Sequence, residues 1–66
     1  MEQLLLIYNP TSGTGRAATR LSEIVDVCTK AGWLVTAYPT QLKGDATRIA
    51  RELGGQYGRV ICMGGD

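Results

Sequence analysis

Three short stretches carry the residues that can do chemistry. In YNPTSGTG, residues 8–15, Thr11 and Ser12 offer hydroxyl donors, and Gly13 and Gly15 allow a ligand close to the backbone. A helix opening just after such a loop turns its free N–H groups and the positive end of its dipole towards one place, which suits a phosphate. Arg16 stands at that helix start, where a guanidinium can add a charge-assisted contact. Asn9 and Pro10 would fix how the chain leaves the preceding segment. The same composition also makes an ordinary capped turn, with Ser12 or Thr14 as cap, and the loop alone leaves both readings open. In TQLKGDA, residues 40–46, Thr40 can donate to a ligand or stand solvated, Lys43 reads as a solvated charge, and Asp45 as a helix cap. In MGGD, residues 63–66, Gly64 and Gly65 let backbone approach a bulky ligand. Asp66 after them suits a Mg²⁺ ion or a polarised ligand group, or closes a simple turn.

Known phosphate motifs fit this pattern poorly. A Walker A loop needs a lysine followed by Ser or Thr at the helix start, and GTGRAATR has none. The run GTGRAA does match the G-x-G-x-x-A form of the dinucleotide fingerprint. Pro10, Thr11 and Ser12 nevertheless separate it from the preceding apolar run, which is too long for the tight turn. The second strand would end in Tyr38-Pro39-Thr40, with no acidic residue for a ribose.

The elements that must position these loops follow from hydrophobic spacing. Leu4 to Tyr8 is a continuous apolar run, as expected of a strand covered on both faces. Trp33 to Tyr38 and Arg59 to Met63 are strand-like and bounded by Gly or Pro. Between Arg16 and Ala31, Ala17, Leu21, Ile24, Val25 and Cys28 recur at helical intervals, with Gly32 as the stop. From Asp45 to about residue 56, Ala46, Ile49, Ala50, Leu53 and Tyr57 repeat the pattern, with Gly54-Gly55 marking an end. The order β-α-β-α-β predicts a three-layer α/β unit with a parallel sheet and right-handed crossovers. In strand order 2-1-3, the loops after strands one and three would share the crevice at the topological switch point. Both edges of so small a sheet would be bare, so the chain reads as the amino-terminal part of something larger, and the isolated piece is expected to associate.

Composition narrows the partners. With 66 residues the chain is one small unit, and a formal charge of +1 with scattered basic residues gives no footprint for nucleic acid. The longest apolar run is far short of a membrane span, and Met1-Glu2-Gln3 carries no secretory signal. Cys28 and Cys62 are not at metal-ligand spacing and read as reduced, buried, small apolar residues, as in a cytosolic protein.

NPTSG after the first strand, T-x-x-x-G-D-A after the second and GGD after the third resemble the diacylglycerol kinase catalytic-domain family, nearest its soluble bacterial lipid kinases. The resemblance covers residues 1–66 and uses all three loops. It implies a phosphofructokinase-like α/β domain that binds ATP with Mg²⁺ and transfers the γ-phosphoryl group to a lipid hydroxyl such as that of diacylglycerol. Asn9, Pro10, Thr11, Ser12 and Gly13 match the family's first nucleotide-binding loop, and Thr40 a nucleotide-contacting threonine. Gly64, Gly65 and Asp66 match the first three residues of its GGDGT signature; the metal ligands stay open, with Asp66 a candidate for direct or indirect contact. Some members place a lysine after the NPTSG glycine; here Thr14 stands there, with Arg16 two residues on. The family's general base and its β-rich lipid-binding domain come later, so no catalytic residue is assigned within the 66 residues, and alone they are expected to be inactive. A cytoplasmic location with peripheral contact at the membrane's inner face is implied with it. Set against this kinase reading are a dinucleotide-binding fragment of an oxidoreductase and a non-catalytic remnant.

Overall fold

The computed structural model of the chain describes residues 1–11 and 16–63, with the backbone alone at 17 and 18. Three strands and two helices alternate: β1 (Glu2–Tyr8), α1 (Ala17–Lys30), β2 (Trp33–Pro39), α2 (Asp45–Leu53) and β3 (Arg59–Met63), with a single 3₁₀ turn (Gly54–Gln56) after α2. The strands are parallel in the order β2-β1-β3, the α/β arrangement expected from the alternation of elements.

β1 is central because it is the one strand paired on both sides, and its composition suits that place. Leu4, Leu5, Leu6 and Ile7 are each at most 1% exposed. Leu5 and Ile7 pack with Ile49 of α2, and Tyr38, Ala46, Ala50, Leu53, Tyr57 and Val60 close around them. Leu4 and Leu6 alternate to the opposite face of the sheet. With this strand order, right-handed crossovers place α1 and α2 on opposite faces. α1 lies along β2 with Leu21, Ile24, Val25 and Cys28 half-buried, while Val27 is 66% exposed.

The ends of the elements are set locally. α1 stops where the Gly32 N–H donates to the Thr29 carbonyl at 3.0 Å and the Gly32 φ of 98° turns the chain away from the helix. β1 begins two residues earlier than its apolar run, because Glu2 and Gln3 pair with Trp33 and Leu34 of β2. The Gln3 carbonyl also accepts the Gly58 N–H at 2.8 Å.

The expectation for the cysteines needs correction. Both are free, but Cys28 is half-buried and Cys62 exposed. β3 is an edge strand, and the cluster under α2 takes in its Val60 but not Cys62, two residues further on. Among the described residues no helix is long and apolar enough to cross a membrane.

Candidate functional site

The sheet's carboxyl rim brings the loops after β1 and β2 together. Tyr8 is in register with Pro39 on one side and Met63 on the other, so all three strands end level. The ladder runs one step further on each side: the Thr40 N–H donates to the Tyr8 carbonyl at 2.8 Å, and the Asn9 N–H to the Met63 carbonyl at 3.4 Å. Asn9 then turns the chain. Its Oδ1 accepts from the Thr11 N–H at 3.0 Å and from the Thr11 hydroxyl at 2.9 Å, an Asx turn. The Thr11 oxygen keeps its acceptor capacity towards a ligand.

The loop after β2 is held from behind. Asp45 Oδ2 accepts the N–H of Gln41 at 2.7 Å and of Leu42 at 3.2 Å. Its Oδ1 accepts Arg48 Nε at 3.2 Å and Nη2 at 3.0 Å, and Arg48 Nη1 reaches on to Glu52 at 3.0 Å. The Asp45 N–H completes the loop by donating to the Leu42 carbonyl at 3.1 Å. The Asp45 side chain is only 6% exposed. The Gln41 N–H first, and the Arg48 guanidinium with the Leu42 N–H after it, hold its pKa below the ordinary value of 3.8 against the opposing effect of burial.

Asp45 is therefore not the helix cap that its position suggests. The N-cap is Gly44, at φ 85°, and no side-chain bond caps the helix. One position inside the helix, the Asp45 side chain turns back to the loop amides instead of forward to those of α2. It still benefits from the positive end of the helix dipole.

Between these loops lies a cleft of about 250 Å³ lined by Asn9, Thr11, Thr40, Gln41, Leu42 and Lys43. Among the residues expected to bind a nucleotide, Asn9, Thr11 and Thr40 meet here. Pro10 is exposed and does not line the cleft. Ser12, Gly13, Gly64, Gly65 and Asp66 lie outside the described residues, as does Thr14. The cleft sits on the β2 side of β1, whereas the sequence pointed to the β3 side, where the described residues stop at Met63. Lys43 both lines the cleft and is exposed, so its ammonium can serve an anion without losing its water. Gln41 and Leu42 were missed, since an exposed loop residue has no sequence signal beyond its neighbours. At this volume the cleft falls below the roughly 300–1,000 Å³ of sites that enclose a whole drug-sized ligand, so it can take only part of a nucleotide.

A metal does not fit the described residues: they hold no group of three His, Cys, Asp or Glu side chains. Asp45, the carboxylate behind the cleft, is already committed to Gln41, Leu42 and Arg48. The dinucleotide fingerprint lacks its context too. Residues 9–16 separate β1 from α1, and β2 is followed by Thr40, where a ribose-binding carboxylate would stand.

Comparison with known proteins gives a consistent result. The family model for the diacylglycerol kinase catalytic domain matches residues 3–66. A diacylglycerol kinase of Staphylococcus carnosus is 44% identical over 62 residues, which are 92% of this chain and 20% of that protein. The diacylglycerol kinase of Staphylococcus saprophyticus is 42% identical over the same shares of the two chains. That of Bacillus subtilis is 33% identical over 67 residues, covering 100% of this chain and 22% of the relative. The chain thus spans about a fifth of the length of the curated relatives it matches.

Proposed function

The chain belongs to the diacylglycerol kinase catalytic-domain family, and from that premise we propose that residues 1–66 are the amino-terminal, nucleotide-binding part of an ATP-dependent lipid kinase. The observation that carries this reading is the rim cleft, where Asn9 and Thr11 from one loop meet Thr40 from the next. Phosphoryl transfer asks a protein for positioning and charge stabilisation more than for covalent chemistry, and in the cleft the Thr40 hydroxyl and the Lys43 ammonium can meet part of that need. A lipid hydroxyl oxygen of diacylglycerol or a similar acceptor bonds to the γ-phosphorus. The bond from that phosphorus to the bridging oxygen breaks, leaving ADP, and the hydroxyl proton passes to a base outside these residues.

Thr40 and Lys43 would face the phosphates from the β2 side. Asn9, Pro10, Thr11, Ser12 and Gly13 would supply the β1 side, and Gly64, Gly65 and Asp66 the β3 side. Mg²⁺, when bound, supplies neutralisation of phosphate charge, and Asp66 is the residue of this chain assigned to it, directly or through water. An acceptor that lives in a bilayer implies peripheral contact of the whole enzyme with the cytoplasmic face of the membrane. The dinucleotide reading has no observation in its favour beyond GTGRAA.

The test uses the full-length kinase with γ-labelled ATP and diacylglycerol vesicles. Labelled phosphatidate is expected from the wild type and none from Asp66→Ala; wild-type turnover by that variant sinks the assignment. Thr40→Ala is expected to weaken ATP binding about tenfold, the worth of one charge-assisted hydrogen bond. The 66 residues alone are expected to transfer no phosphate.

A further inference from the structure

Building on the nucleotide reading, we propose that Asp45 is a positioning residue for the nucleotide: its carboxylate fixes residues 40–43 as a preformed wall of the rim cleft. The wall is made of four consecutive residues, Thr40, Gln41, Leu42 and Lys43. Burial does not hold them in place. Gln41, Leu42 and Lys43 are all exposed, and Leu42 is 76% so despite being apolar. What holds them is a set of four backbone bonds, Thr40 N–H to the Tyr8 carbonyl, Gln41 N–H and Leu42 N–H to the one oxygen Oδ2 of Asp45, and Asp45 N–H to the Leu42 carbonyl, with Gln41 Nε2 also donating to the Pro39 carbonyl. Two of those four backbone bonds depend on a single carboxylate.

The alternative account, that Asp45 serves the helix, does not fit its bonds. A capping side chain accepts from the second or third N–H of its own helix, and α2 has no such bond. Burying a carboxylate carries a desolvation cost that paired donors must offset. Here the donors that offset it are the loop amides and Arg48, which anchors the far oxygen from one turn along α2. The carboxylate is thus a rigid link between a helix packed into the core through Ile49 and a loop that has no core contact of its own. A wall ordered before the ligand arrives spares binding the entropy of ordering it.

Asp45→Asn is close to isosteric, but its amide group must point N–H either at the loop amides or at Arg48, donor against donor. In the full-length kinase this variant is expected to raise the dissociation constant of a non-hydrolysable ATP analogue, and the KM for ATP, about tenfold. Its kcat and its KM for diacylglycerol should stay within about twofold, the split expected when binding geometry is lost and chemistry is not. Arg48→Met, which leaves the loop bonds in place and frees the far oxygen, is expected to weaken ATP by about threefold. Val25→Ala serves as the control, since it loosens α1, on the opposite face of the sheet from α2 and Asp45, and should leave ATP affinity unchanged.

Wild-type ATP affinity in Asp45→Asn, or an equal loss in Val25→Ala, overturns the proposal. Should Asp45→Asn not fold, Arg48→Met decides, and unchanged affinity there overturns it equally. Thr40→Ala distinguishes the nucleotide site from its brace. If it too binds ATP as the wild type does, the nucleotide reading itself falls; if it weakens ATP while Asp45→Asn does not, only the brace is wrong.

Discussion

The bond network of Asp45 has a consequence in acid that does not depend on any ligand. Its pKa in the fold lies below 3.8, chiefly because the Gln41 N–H favours the ionised form. A carboxylate lowered in this way contributes stability that is fully present above its unfolded value of about 3.9, and that contribution is lost as pH falls through the folded value. Arg48 stays charged throughout this range, so the loss follows Asp45 itself. The chain is therefore expected to be more stable than its Asp45→Asn variant at neutral pH, with the gap narrowing as pH falls below 3.8 and through the lowered folded value. Urea midpoints of both proteins at neutral pH and along an acid series check this, and a gap independent of pH would show that the charge is irrelevant. The same residue marks what could not be seen in the sequence. Asp45 after Gly44 looks like a helix start, and it is one, but nothing in GDA tells whether a carboxylate turns forward to its helix or back to its loop. Thr40 and Asn9 were legible because each sits directly at the end of a recognisable strand. Gln41 and Leu42 were not, because their place in the cleft is decided by bonds made through Asp45.

Among the elements, β1 bears most of the core, and this was legible because an unbroken apolar run has few other uses in a short α/β chain. Leu6→Ala is expected to cost about 2–5 kcal/mol, since no neighbour can collapse into a site closed by strands on both sides. Val27→Ala, on the outer side of α1, should stay within about 0.5 kcal/mol. Denaturant unfolding of the two variants compares them, and similar losses would mean that α1 buries more than its exposure indicates. Spacing located the core face of α2 well: Ala46, Ile49, Ala50, Leu53 and Tyr57 all join the cluster. Strand ends were less readable. Glu2 and Gln3 are polar, and they become strand only because β2 extends alongside them and Gly58 bonds to the Gln3 carbonyl. Cys62 shows the matching limit in the other direction. A small apolar residue inside a strand was expected to be buried, but β3 is an edge strand and the core cluster beneath α2 does not take Cys62 in.

At the scale of the molecule, a core of Leu4, Leu5, Leu6, Ile7 and Ile49 must hold a sheet whose two outer strands each have one side without a paired strand among the described residues. A unit this small buries a low fraction of its surface on folding, so little stability is left over to keep those edges from pairing elsewhere. Unpaired N–H and C=O groups along β2 and β3 are templates for another copy, and a charged side chain on an edge strand opposes that pairing. Leu34, 49% exposed on β2, is a suitable position because it adds apolar surface to the edge and contributes little to the core. The 66 residues by themselves are thus expected to associate as concentration rises, and Leu34→Lys to reduce that association without loss of helix content. Sedimentation velocity over a range of concentrations, with far-ultraviolet circular dichroism on the same samples, reads both quantities. A wild-type chain that stays monomeric throughout would mean that its sheet edges are protected despite having no neighbouring strand among the described residues. Equal association of the two proteins would move the contact away from β2, leaving β3, the other edge strand among the described residues, as the strand to alter next.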